Sequence, residues 1–132
     1  MKNKENRHIL IIEDSKDDAV LFSHVIRNVL KLNATIVHDG RQALTVAGQD
    51  HFDLILVDMN LPGLTGNLVT TELRRMESYT TTPIIAITAY DHAAVRQSSL
   101  NAGCDIFLTK PVDVDTLAEI VQLYLLRVRP KQ

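Results

Sequence analysis

The chain has 132 residues, 45% of them hydrophobic, and its 14 basic and 16 acidic side chains give a formal net charge of −2. This length and apolar content predict one domain over residues 1–132, with a core over about 8–128 and short polar tails, rather than two domains. The near-neutral charge provides no basic field for a phosphate backbone, so we expect no direct contact with nucleic acid.

Secretion and membrane insertion are also disfavoured by the sequence. Cys104 is the only cysteine, which rules out an intramolecular disulfide. No apolar run approaches the roughly 20 residues of a membrane span, and the opening residues MKNKENRH lack the apolar stretch of a signal peptide. We therefore expect a cytoplasmic protein that does not insert into a membrane.

Short apolar runs alternate with longer segments of helical spacing along the whole chain. The runs predict buried strands: ILII (9–12), ATIV (34–37), LILV (54–57), PIIAIT (83–88) and DIFLT (105–109). The intervening segments predict helices, with apolar stripes at Val20, Val25 and Val29 and, in a final helix over about 114–128, at Leu117, Val121, Tyr124 and Val128. Helix N-caps are predicted at Asp39, Asp91 and Asp113, and a helix stop at Gly103.

Strands that are apolar on both faces are typical of a parallel sheet covered by helices on both sides. The alternation of strands and helices therefore predicts a doubly wound α/β domain with a five-stranded parallel sheet and right-handed crossovers. Ligands of such sheets bind beyond the carboxyl ends of the strands, where the strand order reverses.

Polar residues follow four of the predicted strands at that edge. They are Glu13 and Asp14 after the first strand, Asp58 and Asn60 at the third, Thr88 at the fourth, and Lys110 with Pro111 after the fifth. Carboxylates gathered at one edge repel one another and need a cation to stay ionised when buried. Oxygen ligands without a His or Cys cluster suit Mg²⁺, with Mn²⁺ as a second candidate. The sequence therefore predicts a metal site at Glu13, Asp14 and Asp58.

Asp58 is the predicted phosphoacceptor. A single Asp at a strand end is often only a turn former. Here, however, the ammonium of Lys110 and the hydroxyl of Thr88, on strands expected to flank that of Asp58, would hold an anion between them. A carboxylate nucleophile, a divalent ion, a lysine and a hydroxyl are the groups needed for phosphoryl transfer onto an aspartate.

The segments ILIIEDS, LILVDMNLPGLTG, PIIAITA and DIFLTKP, in this order, resemble the receiver domains of two-component response regulators of the chemotaxis-protein type. The resemblance covers nearly the whole chain and implies a flavodoxin-like sheet with strand order 2-1-3-4-5. It also implies a phosphorylation-dependent signalling switch whose phosphoryl donor is a phosphohistidine on a histidine kinase or phosphotransfer protein. No dedicated enzyme is expected, although such a domain catalyses its own phosphotransfer and autodephosphorylation.

The resemblance further implies roles for individual residues. The backbone carbonyl of Asn60 would complete the metal site, Thr88 and Lys110 would contact the phosphoryl group, and the Lys110–Pro111 peptide would be cis. Thr88 and Phe107 would form the switch, with Phe107 acting by packing because it has no hydroxyl. Asn60 and Tyr90 would modulate dephosphorylation, and an ordinary exposed loop aromatic is an equally good interpretation of Tyr90.

Leu123 and Leu126 project from the polar side of the final helix. In receiver domains this helix, the fourth helix and the fifth strand form the surface that responds to phosphorylation. The resemblance therefore implies that both leucines contribute to contact with a downstream protein or to a homodimer. The alternative interpretation is scattered surface leucines.

Two other functions remain open on the sequence alone. A receiver-like interaction module that is never phosphorylated should have lost some of the acids or the lysine, and this chain keeps them. An FMN-binding flavodoxin-like protein would cradle a phosphate in its first loop, whereas EDSKDD is acidic and would repel one. The sequence does not distinguish a free-standing domain from one attached to a larger hybrid sensor kinase.

Overall fold

A computed structural model describes residues 6–90 and 92–126. Its five strands are β1 (His8–Ile12), β2 (Asn33–Val37), β3 (Leu54–Asp58), β4 (Ile84–Thr88) and β5 (Ile106–Thr109). All neighbouring pairs are parallel, and the strand order is β2-β1-β3-β4-β5. The predicted doubly wound sheet is confirmed, and each predicted strand matches the structure to within one residue at either end.

Helices cover both faces of the sheet. They are α1 (Lys16–His24), α2 (Gly40–Gln49), α3 (Gly66–Arg75), α4 (Ala93–Ala102) and α5 (Val114–Leu126), together with a π-helical turn over Val25–Val29 and a 3-10 turn over Glu77–Tyr79. None of the helices in the described part of the chain has both the length and the apolar character that a membrane span requires.

The core is divided into two clusters by the sheet. Ile9 and Ile11 of β1 pack with α1, the π-helical turn and α5 on one face, whereas Leu10 and Ile12 pack with α2 and α3 on the other. Side chains alternate along a strand, so a sheet covered on both faces needs apolar residues at consecutive positions. This requirement explains the unbroken apolar run of β1.

The predicted apolar stripe of the first helix is wrong. Val25 is buried, but Val20 is 67% exposed and Val29 is 46% exposed. The buried side of α1 is formed instead by Ala19 and Phe22. After α1 the chain continues as a π-helical turn, in which the N–H of Leu30 donates to the carbonyl of Val25 at 2.9 Å. A wider turn changes the direction of the following side chains, so a stripe read at normal helical spacing does not continue through it to Val29. Val20 lies before the turn, and at normal helical spacing its side chain is rotated by about 140° from that of Val25.

Two of the predicted helix caps are confirmed. The Asp39 carboxylate accepts from the N–H of Gln42 at 2.8 Å at the start of α2. The Asp113 carboxylate accepts from the N–H of Thr116 at 3.1 Å at the start of α5. Each carboxylate satisfies a backbone donor that has no partner within its helix. The predicted last turn of α5 includes Val128, which lies outside the described residues.

The prediction for α4 is correct at its C-terminal end and differs from the structure at its N-terminal end. His92 occupies the N-cap position and makes no side-chain cap hydrogen bond, so the helix begins one residue later than an Asp91 cap would require. Asp91 itself lies outside the described residues. Gly103 ends α4 in the left-handed conformation, with φ of 119°, as predicted. This conformation favours glycine because it has no Cβ.

Cys104 follows this stop and is buried. Its Sγ lies 3.7 Å from the hydroxyl of Thr70 on α3. Burial raises the pKa of the Cys104 thiol to about 11, so the group stays protonated at neutral pH.

Candidate functional site

Three carboxylates meet at the carboxyl edge of the sheet. Asp58 is the last residue of β3, and Glu13 and Asp14 directly follow β1, the strand beside it. Glu13 and Asp58 are buried, whereas Asp14 is exposed. One ligand oxygen from each of the three carboxylates lies within 4.8 Å of the others. The parallel topology therefore brings the three predicted metal ligands together.

The turn after β3 fixes the orientation of Asp58. Its Oδ1 accepts from the N–H of Asn60 at 2.9 Å. Gly66, the first residue of α3, approaches this turn so closely that a Cβ would lie 2.5 Å from the carbonyl oxygen of Asp58 and 2.5 Å from the Cα of Met59. Thr65 is the N-cap of α3, and its hydroxyl accepts from the N–H of Leu68 at 3.2 Å. Only glycine fits the position that follows this cap.

Lys110 lies beside the carboxylates. Its Nζ is 2.7 Å from Asp18 Oδ2, 2.9 Å from Glu13 Oε1 and 3.2 Å from Asp58 Oδ2. The expectation that Lys110 and Thr88 lie on strands flanking β3 is correct for Thr88 on β4 and wrong for Lys110, because β4 separates β5 from β3. The lysine reaches Asp58 past β4 because its side chain is long. The Lys110–Pro111 peptide is cis.

Electrostatic crowding at this edge favours a cation. The pKa of Glu13 is raised from its ordinary 4.5 to about 7, mainly by burial and then by the neighbouring Asp58, against a lowering by Lys110. Burial alone would lower the pKa of Lys110, but the contacts with Asp18, Glu13 and Asp58 outweigh burial and raise it above its ordinary value. One lysine charge faces several carboxylates, so the oxygen-only cluster of Glu13, Asp14 and Asp58 suits a hard divalent ion such as Mg²⁺.

Thr88 and Tyr90 lie on the fourth strand and in the loop that follows it. Thr88 is fully buried at the end of β4, and its Oγ1 accepts from the N–H of Tyr90 at 3.3 Å. The Tyr90 side chain is largely exposed. The backbone of this loop is thus bonded to the Thr88 hydroxyl, while the tyrosine ring is in contact with solvent.

Phe107, Leu123 and Leu126 lie outside the carboxylate and lysine cluster. Phe107 pairs with Ala86 in the sheet and is half-buried, with the guanidinium carbon of Arg96 on α4 located 5.5 Å from its ring centroid. Leu123 and Leu126 of α5 are 56% and 76% exposed. The leucines therefore project from α5, as the helical pattern predicts.

Asp18 was not among the predicted site residues. It lies in the first turn of α1, where its N–H donates to the hydroxyl of the N-cap Ser15 at 3.3 Å. The sequence does contain a signal, because the acidic run EDSKDD continues past Ser15 into a helix that begins at the same sheet edge. The contact with Lys110 depends on the path of the lysine side chain, which the sequence pattern does not specify.

Comparison with known proteins gives a consistent result. The sequence profile described as "Response regulator receiver domain" matches residues 9–122. The chain is 30% identical over 129 residues to the sensor histidine kinase RcsC of Escherichia coli K12, covering 98% of this chain and 13% of that protein. It is also 30% identical over 119 residues to the polar-differentiation response regulator DivK of Brucella ovis, covering 90% of this chain and 96% of DivK.

Among solved structures, the receiver domain of the sensor histidine kinase PA1611 from Pseudomonas aeruginosa PAO1 is similar, with a TM-score of 0.84 and 34% identity. The match covers 91% of this chain and 98% of that domain, which was crystallised with a magnesium ion coordinated in its active-site cleft. The similarity thus extends to a complete response regulator and to small segments of much longer sensor kinases.

Proposed function

The chain belongs to the response regulator receiver domain family of two-component signalling systems, and we propose that it is a signalling switch that accepts a phosphoryl group on Asp58. The observation that carries this proposal is the position of Asp58: its Oδ2 lies 3.2 Å from Lys110 Nζ, and its carboxylate belongs to the Glu13 and Asp14 cluster. A buried aspartate that faces both a cation and additional oxygen ligands is suited to nucleophilic attack on phosphorus.

The donor in this proposal is a phosphohistidine on a histidine kinase or phosphotransfer protein. An Asp58 carboxylate oxygen attacks the phosphorus, the P–N bond breaks, and its electron pair leaves with the imidazole nitrogen. The N–H of Asn60 holds Oδ1 and so limits rotation of the carboxylate. Lys110 and the hydroxyl of Thr88 then contact the phosphoryl oxygens, which carry the negative charge of the transferred group.

The metal in this proposal is Mg²⁺, held by Glu13, Asp14, Asp58 and the backbone carbonyl of Asn60. The fit is supported by the oxygen-only cluster and by the crowding of its carboxylates, and the PA1611 receiver domain binds magnesium in its cleft. Bound Mg²⁺ would neutralise negative charge on the phosphoryl oxygens. Glu13 must be deprotonated to act as a ligand, so its raised pKa links metal binding to proton release.

The response to phosphorylation in this proposal begins at Thr88 and Phe107. Movement of the Thr88 hydroxyl toward the phosphoryl group would break the hydrogen bond that Thr88 Oγ1 accepts from the N–H of Tyr90. Phe107 would turn inward on β5 and leave the Arg96 guanidinium that lies over its ring. Both changes alter the surface formed by α4, β5 and α5, where a downstream protein or a second copy of the chain would bind.

The test is phosphorylation by acetyl phosphate with Mg²⁺, followed by intact mass spectrometry. The wild type should gain one phosphoryl group that hydroxylamine removes, as expected of an acyl phosphate. Asp58→Asn should gain none, and Asp115→Asn, at an exposed site in the first turn of α5, should react like the wild type. A wild type that gains no phosphoryl group would favour an interaction module that is never phosphorylated. Normal phosphorylation of Asp58→Asn would contradict the assignment of the acceptor.

A further inference from the structure

Asp18 makes the shortest of the three carboxylate contacts of Lys110, at 2.7 Å. We propose that Asp18 is a positioning residue that competes with the phosphoryl group for Lys110 and thereby slows phosphorylation of Asp58. This inference rests on the proposed function, because it concerns the lysine expected to bind the phosphoryl oxygens. Asp18 contacts neither Asp58 nor the donor in this proposal; it acts through Lys110.

The contact is held in place from both sides. Asp18 is fixed in the first turn of α1, where Ser15 caps its backbone N–H at 3.3 Å. Lys110 is mostly buried and directly follows β5, and its own N–H donates to the carbonyl of Thr88 at 2.8 Å. A partly exposed carboxylate and a mostly buried ammonium on two anchored segments lose little freedom on pairing, unlike two mobile surface side chains.

Metal binding would leave the contact between Asp18 and Lys110 in place. Within the described part of the chain, the carboxylate cluster that could hold a metal consists of Glu13, Asp14 and Asp58, and it does not include Asp18. A bound divalent ion would draw Glu13 and Asp58 toward itself and weaken their contacts with Lys110. Asp18 would then be the main carboxylate partner of the lysine when a phosphoryl group arrives.

Lys110 Nζ donates hydrogen bonds to Asp18 Oδ2 at 2.7 Å and to Asp58 Oδ2 at 3.2 Å. It also lies 2.9 Å from Glu13 Oε1, with which it forms an ion pair without a hydrogen bond. A phosphoryl group on Asp58 places new negative oxygens near an atom that already lies 3.2 Å from Asp58 Oδ2. The Asp18 carboxylate offsets part of the positive charge of the ammonium and holds it toward α1, so Lys110 binds these oxygens less strongly than it would without Asp18. The charge of Asp18 also repels the phosphoryl oxygens, so the two effects act in the same direction.

The test compares wild type and Asp18→Asn in two titrations. The first measures Mg²⁺ affinity alone by calorimetry, and the second measures beryllofluoride affinity at saturating Mg²⁺ by calorimetry and fluorine NMR. Removing the Asp18 charge should weaken Mg²⁺ binding and strengthen beryllofluoride binding, each by about two- to fivefold, as expected for the loss of one partly exposed charge contact. Phosphorylation by acetyl phosphate at saturating Mg²⁺ should accelerate by a similar factor.

The predicted changes in Mg²⁺ affinity and beryllofluoride affinity have opposite directions. A distorted site would instead bind both ligands more weakly, so the two titrations distinguish competition for Lys110 from structural disruption of the site. Asp17→Asn is the matched control, since it removes the same charge from an exposed position of the same helical turn. It should change neither affinity by more than about 1.5-fold. Asp18→Glu retains the charge and should bind beryllofluoride more like the wild type than Asp18→Asn does.

Three results would overturn the inference. Weaker or unchanged beryllofluoride binding by Asp18→Asn would mean that Asp18 does not compete for Lys110. Equal effects of Asp17→Asn and Asp18→Asn would mean that only the general negative field matters. A wild type that binds no beryllofluoride at all would overturn the proposed function together with this inference, whereas the first two results leave the proposed function intact.

Discussion

Arg74 of α3 and Asp105, the residue before β5, form an ion pair of 3.1 Å between mostly buried side chains. The same guanidinium donates to the carbonyl oxygens of Gly103 at 3.0 Å, Tyr79 at 2.6 Å and Thr82 at 2.7 Å. One side chain thus connects the end of α3, the segment before β4 and the end of α4. The last two of these segments lead into β4, which ends at Thr88, and into β5, which is followed directly by Lys110.

Arg74→Met should lower the free energy of unfolding by about 2–4 kcal/mol, because three carbonyls and a mostly buried carboxylate lose a charged donor. Urea denaturation followed by circular dichroism measures this change. Arg75→Met is the control: Arg75 is 74% exposed and pairs across the helix surface with Glu72 at 3.3 Å, so the cost should be below about 0.5 kcal/mol. Equal losses in the two variants would contradict the structural role of Arg74.

Gly66→Ala should destabilise the fold by about 1–3 kcal/mol and weaken Mg²⁺ binding. Its Cβ would lie 2.5 Å from the backbone of Asp58 and Met59, so the turn that orients the Asp58 carboxylate must shift. Thermal denaturation and Mg²⁺ titration measure the two effects.

The matched control is Gly48→Ala in α2, where no atom of the described residues lies within 4 Å of the added Cβ, apart from the adjoining residues and the backbone of the same helix. It should leave Mg²⁺ affinity unchanged and raise stability by up to about 1 kcal/mol, because alanine favours the helix. A Gly66→Ala protein as stable as Gly48→Ala would show that the turn accommodates the methyl group.

Glu13 should make metal-free stability and Mg²⁺ binding depend on pH in opposite directions. Its pKa is about 7 in the folded protein against an ordinary 4.5, so the folded state binds this proton more tightly than the unfolded state. The stability contributed by protonated Glu13 is complete below pH 4.5 and is lost as the pH rises through 7. Mg²⁺ binding needs the carboxylate and should weaken as the pH falls below 7.

Calorimetry in two buffers of different ionisation enthalpy, just below pH 7, should detect a proton released when Mg²⁺ binds. In Glu13→Gln the proton release should disappear, and metal-free stability should vary less between pH 4.5 and 7. Mg²⁺ binding to the wild type without proton release would show that Glu13 is already ionised in the folded protein.

Tyr90→Ala should shorten the lifetime of the phosphorylated protein. The tyrosine follows the buried Thr88 by two residues, and its backbone is bonded to the Thr88 hydroxyl, so its ring can restrict the approach of water to the acyl phosphate. Loss of phosphate over time, measured by mass spectrometry, should be faster in Tyr90→Ala and unchanged in Tyr90→Phe, which keeps the ring. Equal decay in wild type and Tyr90→Ala would leave Tyr90 as an ordinary loop residue.

Leu123 and Leu126 should contribute to self-association that depends on phosphorylation. They are the two most exposed leucines described and lie on α5, and solvent-exposed leucines that lie together favour contact with another surface. Light scattering should show a larger mass for wild type with beryllofluoride than without it, and no such increase for Leu123→Ser/Leu126→Ser.

Val20→Ser on α1 is the control for that experiment, since Val20 is also strongly exposed, and it should associate like the wild type. If all these proteins have the same mass with and without beryllofluoride, self-association through α5 is excluded, and a different protein remains as the partner of this surface.

Much of the site follows from the strand pattern. Unbroken apolar runs such as residues 54–57 required a sheet covered on both faces, and parallel strands place their carboxyl ends at one edge. The proximity of Glu13, Asp14 and Asp58 is a direct consequence of β1 and β3 being neighbours. Residue type, together with the strand order that the resemblance implied, therefore predicted the cluster without any knowledge of side-chain conformation.

The parts of the site and fold that the sequence did not predict depend on features that a residue pattern does not contain. The contact between Asp18 and Lys110 requires a long side chain to pass β4 and reach the first turn of α1. The exposure of Val29 accompanies a π-helical turn that breaks the normal helical period. The acceptors of Arg74 are mostly backbone carbonyls, which every residue possesses, so no sequence signal marks them.

The burial of Cys104 has a practical consequence for spectroscopy. A thiol with a pKa of about 11 and little solvent contact reacts slowly with maleimides or oxidants at neutral pH. A Leu126→Cys substitution would place the only readily reactive sulfur on the exposed side of α5, with Cys104 retained in the core. A spin label or fluorophore attached there can therefore report movement of α5 in response to beryllofluoride without any alteration of the interior.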